Sequence, residues 1–282
     1  MGRSTRHLKR KLILAALIAG VSSAQDRREP PAAADGGEFH FVRLAYAGGG
    51  GFGGGRSRGG GFGGGGFRGG GFRNYSGCQS QRFTDSSADT DWPCAEDHLM
   101  EGVTRLTRID TGESLIIEPT DEDIMNYPWL YAVEVGRWYL DERDAQMLRE
   151  YLLRGGFLVV DDFHGTDQWE GFEESMRRVF PDRQIVEIPA SDSLLDILYT
   201  IDENIQIPGI QFLESGRTYE QDGYVPHWRG IYDDEDRLMV AINWNMDLGD
   251  AWEHADVPEY PADMTALAYR YAINYIVYSM TH

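Results

Sequence analysis

Cysteine is nearly absent from this chain, which has Cys78 and Cys94 and no others in 282 residues. That excludes a disulfide-built scaffold and a cysteine-rich zinc module. Neither cysteine stands where a strand passes into a helix, so a thiol nucleophile is not expected. Outside one glycine-rich run there is no Gly-x-Gly-x-x-Gly, no phosphate loop, no Gly-x-Ser-x-Gly elbow and no His-Glu-x-x-His. No cofactor is therefore expected, and no metal. Long apolar runs are missing too: residues 12–21 are too few to span a bilayer comfortably, so no membrane span is expected once that segment is removed. Basic charge is scarce where the chain folds. Beyond residue 73 there are 14 Lys+Arg against 42 Asp+Glu, whereas residues 1–73 hold 12 against 4. A domain this acidic is a poor partner for nucleic acid or an anionic membrane.

What is present begins with an export signal over residues 1–24. Basic residues from Arg3 to Lys11 precede the apolar run, and the small residues Ser22 and Ala24 suit cleavage after Ala24. Export implies a periplasmic or secreted protein, envelope-associated if the signal is retained. In such an oxidising compartment Cys78 and Cys94 can pair, a bridge worth about 3 kcal/mol by loop entropy. Residues 25–38 form a disordered lead. Residues 39–46 alternate apolar and polar and make the first strand of an α/β domain. Residues 47–90 are a low-complexity insert of glycine, Phe52, Phe62, Phe67, Phe72 and scattered arginines, unable to bury enough surface to fold. Such runs resemble RNA-binding RGG segments, but in an exported chain the insert reads as a linker or a tether to an envelope partner.

The rest of the α/β domain spans 91–282. A helix is expected over 98–108, strands over 114–118 and 129–135, and a helix from Leu140. Ala145, Leu148, Tyr151 and Leu152 give that helix one apolar stripe, and Gly155 and Gly156 stop it. Residues 157–160 are apolar on both faces, as in a central parallel strand covered by helices. A helix over 167–180, a strand over 184–188 and an irregular stretch over 191–230 follow. Then comes a hairpin turning at Asp233, Asp234, Glu235 and Asp236, read as a solvated turn, with its second strand over 238–244. A helix over 262–278 closes the chain, its Tyr271, Tyr275 and Tyr278 spaced for the core. Strand and helix in regular alternation argue for a doubly wound layer fold.

Ligands of such sheets bind beyond the carboxyl ends of the strands. Two polar clusters fall there. The first is Asp161, Asp162 and His164 after the central strand. Strict alternation sends Asp161 and Asp162 to opposite faces, so only one can share a crevice with His164 unless the strand has already turned. The second is Asp247, Asp250, Trp252, Glu253 and His254. Asp91 and Trp92 follow the first strand's loop and can join, as can Trp169. Together they form the candidate ligand-binding set. Carboxylates with imidazoles can run acid–base chemistry, and aromatic walls beside carboxylates suit a sugar ring. Asp162 and His164 are the catalytic candidates, oriented by Asp247 or Glu253. The competing reading makes one of Asp161 and Asp162 a cap of the following helix and the other a binder of loop amides, and packs the tryptophans with their indole N–H on local acceptors.

The opening RLAY with its glycines, the Asp91-Trp92-Pro93 triplet, YLLRGGFLVVDDFHG, the RVFP ending at Pro181, DLGDAWE and the terminal NYIVYSMTH together resemble the bacterial domain of unknown function 4159. The resemblance runs from Phe39 to Trp92, less the insert, and on to His282. In that family a short glycine turn leads directly into the Asp-Trp pair; here the turn is expanded by roughly forty residues. The resemblance implies a three-layer, flavodoxin-like α/β fold with a mostly parallel sheet and helices on both faces, similar to the class I glutamine amidotransferases and trehalose-utilisation-like proteins. Where amidotransferases carry a nucleophilic cysteine, this chain has Asp162, Phe163 and His164, so thiol chemistry is not implied. The family brings no activity with it. Three readings stand: a module binding a small molecule or an envelope protein, a hydrolase of a polar or carbohydrate-like substrate, and a structural part of a cell-envelope assembly.

Overall fold

Apolar residues that alternate along the strands and recur every third or fourth position along the helices leave two sheet faces and several helix stripes to be covered. The computed structural model describes residues 37–48 and 87–282. The segment read as an export signal, nearly all of the lead and residues 49–86 of the glycine-rich insert, Cys78 included, lie outside the described residues. The elements are β1 (Val42–Leu44), β2 (Ala47–Gly48), α1 (Cys94–Leu106), β3 (Leu115–Ile117), β4 (Trp129–Val133), β5 (Trp138–Tyr139), α2 (Glu142–Leu153), β6 (Phe157–Phe163) and α3 (Gly165–Val179). They continue with β7 (Val186–Glu187), α4 (Phe212–Ser215), β8 (His227–Tyr232), β9 (Leu238–Trp244), α5 (Leu248–Glu253) and α6 (Ala262–Thr281).

Seven strands form one sheet in the order β3-β1-β4-β6-β9-β8-β7, and β2 pairs with β5 separately. β3, β1, β4, β6 and β9 are parallel, while β8 runs antiparallel to β9 as the expected hairpin. On one face Phe41, Trp129, Tyr131, Phe157 and Val159 pack with Leu99 and Val103 of α1, Trp252 of α5, and Tyr271 and Tyr275 of α6. On the other, Leu130, Ala132, Leu158 and Val160 meet Ala145, Leu148 and Leu152 of α2 and Phe172 and Met176 of α3. Each large apolar side chain so buried contributes about 1.5–3 kcal/mol. The architecture is mixed α/β with a mostly parallel central sheet between helices. No helix among the described residues is long and apolar enough to cross a membrane.

Local signals explain most element ends. Asp141 accepts from the Asp144 amide at 2.8 Å and Asp144 reciprocates at 3.3 Å, a capping box that starts α2. Gly155, at φ +111°, ends it. Four expectations need correction. α1 begins at Cys94 rather than residue 98. β4 stops at Val133, because Glu134 turns to φ +50°. β6 continues through Asp161 and Asp162 to Phe163, and the strand expected over 184–188 shrinks to two paired residues. The acidic hairpin turn is held by Asp233, whose Oδ1 accepts the Glu235 and Arg237 amides, each at 2.9 Å.

Candidate functional site

The carboxyl ends of β1, β4, β6 and β9 leave the sheet at one edge, and acidic residues follow several of them. At β6 the alternation breaks. Val160 pairs with Ile242 and Phe163 with Trp244, so three residues on β6 oppose two on β9, and Asp162 sits at φ +51°. This is a bulge with one extra residue, and it answers the question alternation left open. Asp161 stays on the Tyr131 side, Phe163 moves into the other core, and Asp162 is released to the edge, its Oδ1 lying 3.3 Å from His164 Nε2. Both aspartates thus serve the same edge as His164.

Asp161 is fully buried. Its Oδ2 accepts the Tyr131 hydroxyl at 2.8 Å and the Leu248 and Gly249 amides at 2.7 and 3.1 Å. Its Oδ1 has no hydrogen-bond partner. Burial, against those three donors and with Asp162 nearby, pushes its carboxyl up to about 7. Burial first, then Glu134 and Asp250, raises Asp162 well above the carboxylate range. Asp247 is raised by burial, then by Asp250, Asp162 and Asp91; Asp91 is raised by burial, then by Asp250 and Glu253. His164, nearly fully enclosed, is held below its ordinary value, chiefly by loss of water. Burial thus favours the uncharged form of both Asp162 and His164, whose Oδ1 and Nε2 stand 3.3 Å apart.

The expected residues divide. Asp91, Asp161, Asp162, His164, Asp247, Asp250, Glu253 and His254 come to one edge. Asp247 caps α5, its Oδ1 accepting the Asp250 amide at 2.8 Å; of the two aspartates in the competing reading, Asp161 binds the Leu248 and Gly249 amides, and neither caps α3, whose N-cap is His164. Trp92 is half-buried beside Asp91. The other two tryptophans pack against neighbouring rings. Trp252 has no exposed surface and packs on Tyr131 at 5.4 Å between centroids. Trp169 stacks with Phe163 and meets Trp244 at a tilt on the α3 side, with the Arg229 guanidinium 4.4 Å from its centroid. Trp252 thus offers no face to a ligand, whereas Trp169, like Trp92, keeps part of its surface exposed. Cys94, at the start of α1, is disulfide-bonded.

Residues outside the expected set complete the edge. Glu220 Oε1, from the irregular stretch, approaches His164 Nε2 to 3.8 Å and accepts Gln211 Nε2 at 2.7 Å. Glu134 lies close enough to raise Asp162 and accepts the Thr90 hydroxyl at 3.5 Å. Arg43 is fully buried, bound to Glu96 through Nε at 2.6 Å, and donates to the Thr90 carbonyl at 2.5 Å, which fixes the loop that carries Asp91. Three groups of potential ligand atoms lie within 4.8 Å of one another: Asp162, His164 and Glu220; Asp250, Glu253 and His254; and Asp91, Asp247 and Asp250. A separate groove of about 330 Å3, lined by Met176, Phe180, Arg183 and Ile231 among others, contains none of these acids.

Comparison with known families gives a match to Domain of unknown function (DUF4159) over residues 79–280. The chain belongs to this family. The matched span includes the Asp91 loop, β6 with its bulge, and α5, but β1 lies before it. No curated protein matches the chain.

Proposed function

We propose that this chain is an exported, flavodoxin-like module that binds a small polar ligand at the carboxyl edge of its sheet. The observation that carries the reading is the convergence, at that edge, of Asp91, Asp162, Asp247 and Asp250 with His164, the carboxyls of Asp91, Asp162 and Asp247 being raised by burial first and by neighbouring carboxylates second. Perturbed groups of this kind concentrate at functional sites. The strand order β3-β1-β4-β6-β9 supports the flavodoxin-like reading, since such sheets run in the order 2-1-3-4-5 and bind ligands at the switch point beside the first strand. Similarity to the amidotransferase layer fold is part of the same proposal. The N-terminal signal and the disulfide at Cys94 support export. An excess of carboxylates selects a ligand rich in cationic or hydroxyl groups.

A thermal-shift screen of the purified protein against amines, sugars and nucleotides tests the reading, repeated on Asp162→Asn and His164→Ala. A ligand at about 100 times its dissociation constant adds about 2.7 kcal/mol. A shift present in the parent and lost in both variants supports it; a shift that survives both sinks it. The Asp162–His164 contact favours a second reading, hydrolysis of a polar substrate, with Asp162 giving a proton and His164 taking one. Turnover that vanishes in either variant while binding persists would establish that reading.

A further inference from the structure

His254 is 8 % exposed, and its Nδ1 is buried without a hydrogen-bond partner. Leaving such a nitrogen unsatisfied costs about 1–3 kcal/mol. The nitrogen faces Glu253, whose Oε2 lies 3.6 Å away, beyond good hydrogen-bonding distance. Two donors bound tetrahedrally to one zinc ion at about 2.0–2.2 Å are themselves roughly 3.3–3.6 Å apart. The Asp250 carboxylate completes a group within 4.8 Å and also belongs to the group of Asp91 and Asp247. Gly249 lets these acids close in: a Cβ there would lie 3.2 Å from Asp91 Oδ2 and 3.6 Å from Asp247 Oδ1. Arg43, the cation whose charge bears on Asp91, is already engaged by Glu96.

We propose that Asp250, Glu253 and His254 ligate a divalent transition-metal ion of the zinc class, with Asp91 and Asp247 on its open side. One imidazole among carboxylates discriminates against calcium, which takes oxygen ligands. Held there, the ion would neutralise the carboxylates and leave coordination positions facing the edge where Asp162 and His164 stand. The inference rests on the ligand-site reading for its location, yet it uses different residues, so the two can fail separately.

The test is zinc titration of the chelator-treated full chain by calorimetry, with cobalt as a spectroscopic substitute. Zinc should bind with at least one equivalent and calcium at least tenfold more weakly. His254→Ala should lose at least tenfold in zinc affinity and alter the visible cobalt spectrum, with circular dichroism confirming the fold; His254→Gln serves if the alanine variant does not fold. Absence of zinc binding by the parent, equal binding by the His254 variant, or calcium binding as tight as zinc overturns the proposal. Zinc affinity lost in His164→Ala but kept in the His254 variant also overturns it, by placing the ion on Asp162, His164 and Glu220. A polar-ligand shift lost in Asp162→Asn with zinc affinity intact supports both readings; zinc binding without any polar-ligand shift supports the metal alone.

Discussion

Asp161→Asn should stabilise the protein progressively as pH rises. In the folded chain the Asp161 carboxyl titrates near 7, against an ordinary value of 3.8. The folded state keeps this proton over a range where the unfolded state has released it. Stability therefore falls as pH climbs from about 4 to about 7 and levels off above. The full effect, at about 1.4 kcal/mol per pH unit, is about 4 kcal/mol. Asparagine preserves the acceptor that binds Tyr131 and the Leu248 and Gly249 amides. It places an amide nitrogen where Oδ1 has no hydrogen-bond partner, a constant penalty of about 1–3 kcal/mol. Because that penalty does not vary with pH, the quantity to read is the change in the parent-to-variant difference. Urea unfolding with chelator present, at pH 4 and pH 8, should show that difference move by about 3–4 kcal/mol in the variant's favour; in melting temperature this is on the order of 10 °C. Asp162, Asp91 and Asp247 are displaced in the same direction, so the parent should also lose stability between pH 5 and 8. A parent that gains stability over that interval, or a difference that stays flat, would refute the reasoning.

Other perturbations report on the frame around the site. Arg43→Met leaves Glu96 charged and buried and should cost about 3–5 kcal/mol in urea unfolding, most of it recovered in the Arg43→Met, Glu96→Met double variant. Gly165→Ala should cost about 1–3 kcal/mol, because φ is +75° and the added carbon would meet Asp222 Oδ1 at 2.2 Å; Asp222→Ala in the same chain should relieve only the contact. Asp141→Ala should lower stability by about 1 kcal/mol at every pH above 5, since it removes the α2 cap without touching the acidic edge.

The layer fold is legible because its signals are local. The stripe of α2, the stop at Gly155 and the apolar run into β6 name a helix, a turn and a buried strand without reference to the rest of the chain. The site is legible only as far as strand ends can be named. Asp161, Asp162, His164, Asp247 and Asp250 follow from that rule. The bulge at Asp162 does not, since it is a two-strand property and aspartate merely tolerates left-handed backbone. Glu220 reaches His164 from a stretch with no periodicity to place it. Trp169 carried a usable signal: with Phe172 and Met176 it stands at offsets 0, 3 and 7 in α3, the pattern of a packing face. Arg43 did too, as an arginine set directly between the apolar Val42 and Leu44.

Strain marks the same edge independently of charge. Among the described residues six other than glycine have positive φ: Asp91, Glu134, Asp162, Gln221, Asp236 and Asn245. Asp236 belongs to the hairpin turn, where left-handed backbone is ordinary. The other five lie at the acidic edge or next to one of its members: Glu134 and Asp162 break β4 and β6, Asn245 follows β9, and Gln221 adjoins Glu220. Such conformations cost of order 1–3 kcal/mol each and persist only where the surrounding structure imposes them. Asn245 shows how: its Oδ1 accepts the Gly165 amide at 2.9 Å and its Nδ2 donates to the Val225 carbonyl at 2.7 Å, tying β9 to α3 and to the loop before β8. Asp161 does the same for β4, β6 and α5. These hydrogen bonds offset the backbone strain and the repulsion between carboxylates and fix the positions of the acidic side chains, which supports the ligand site proposed above.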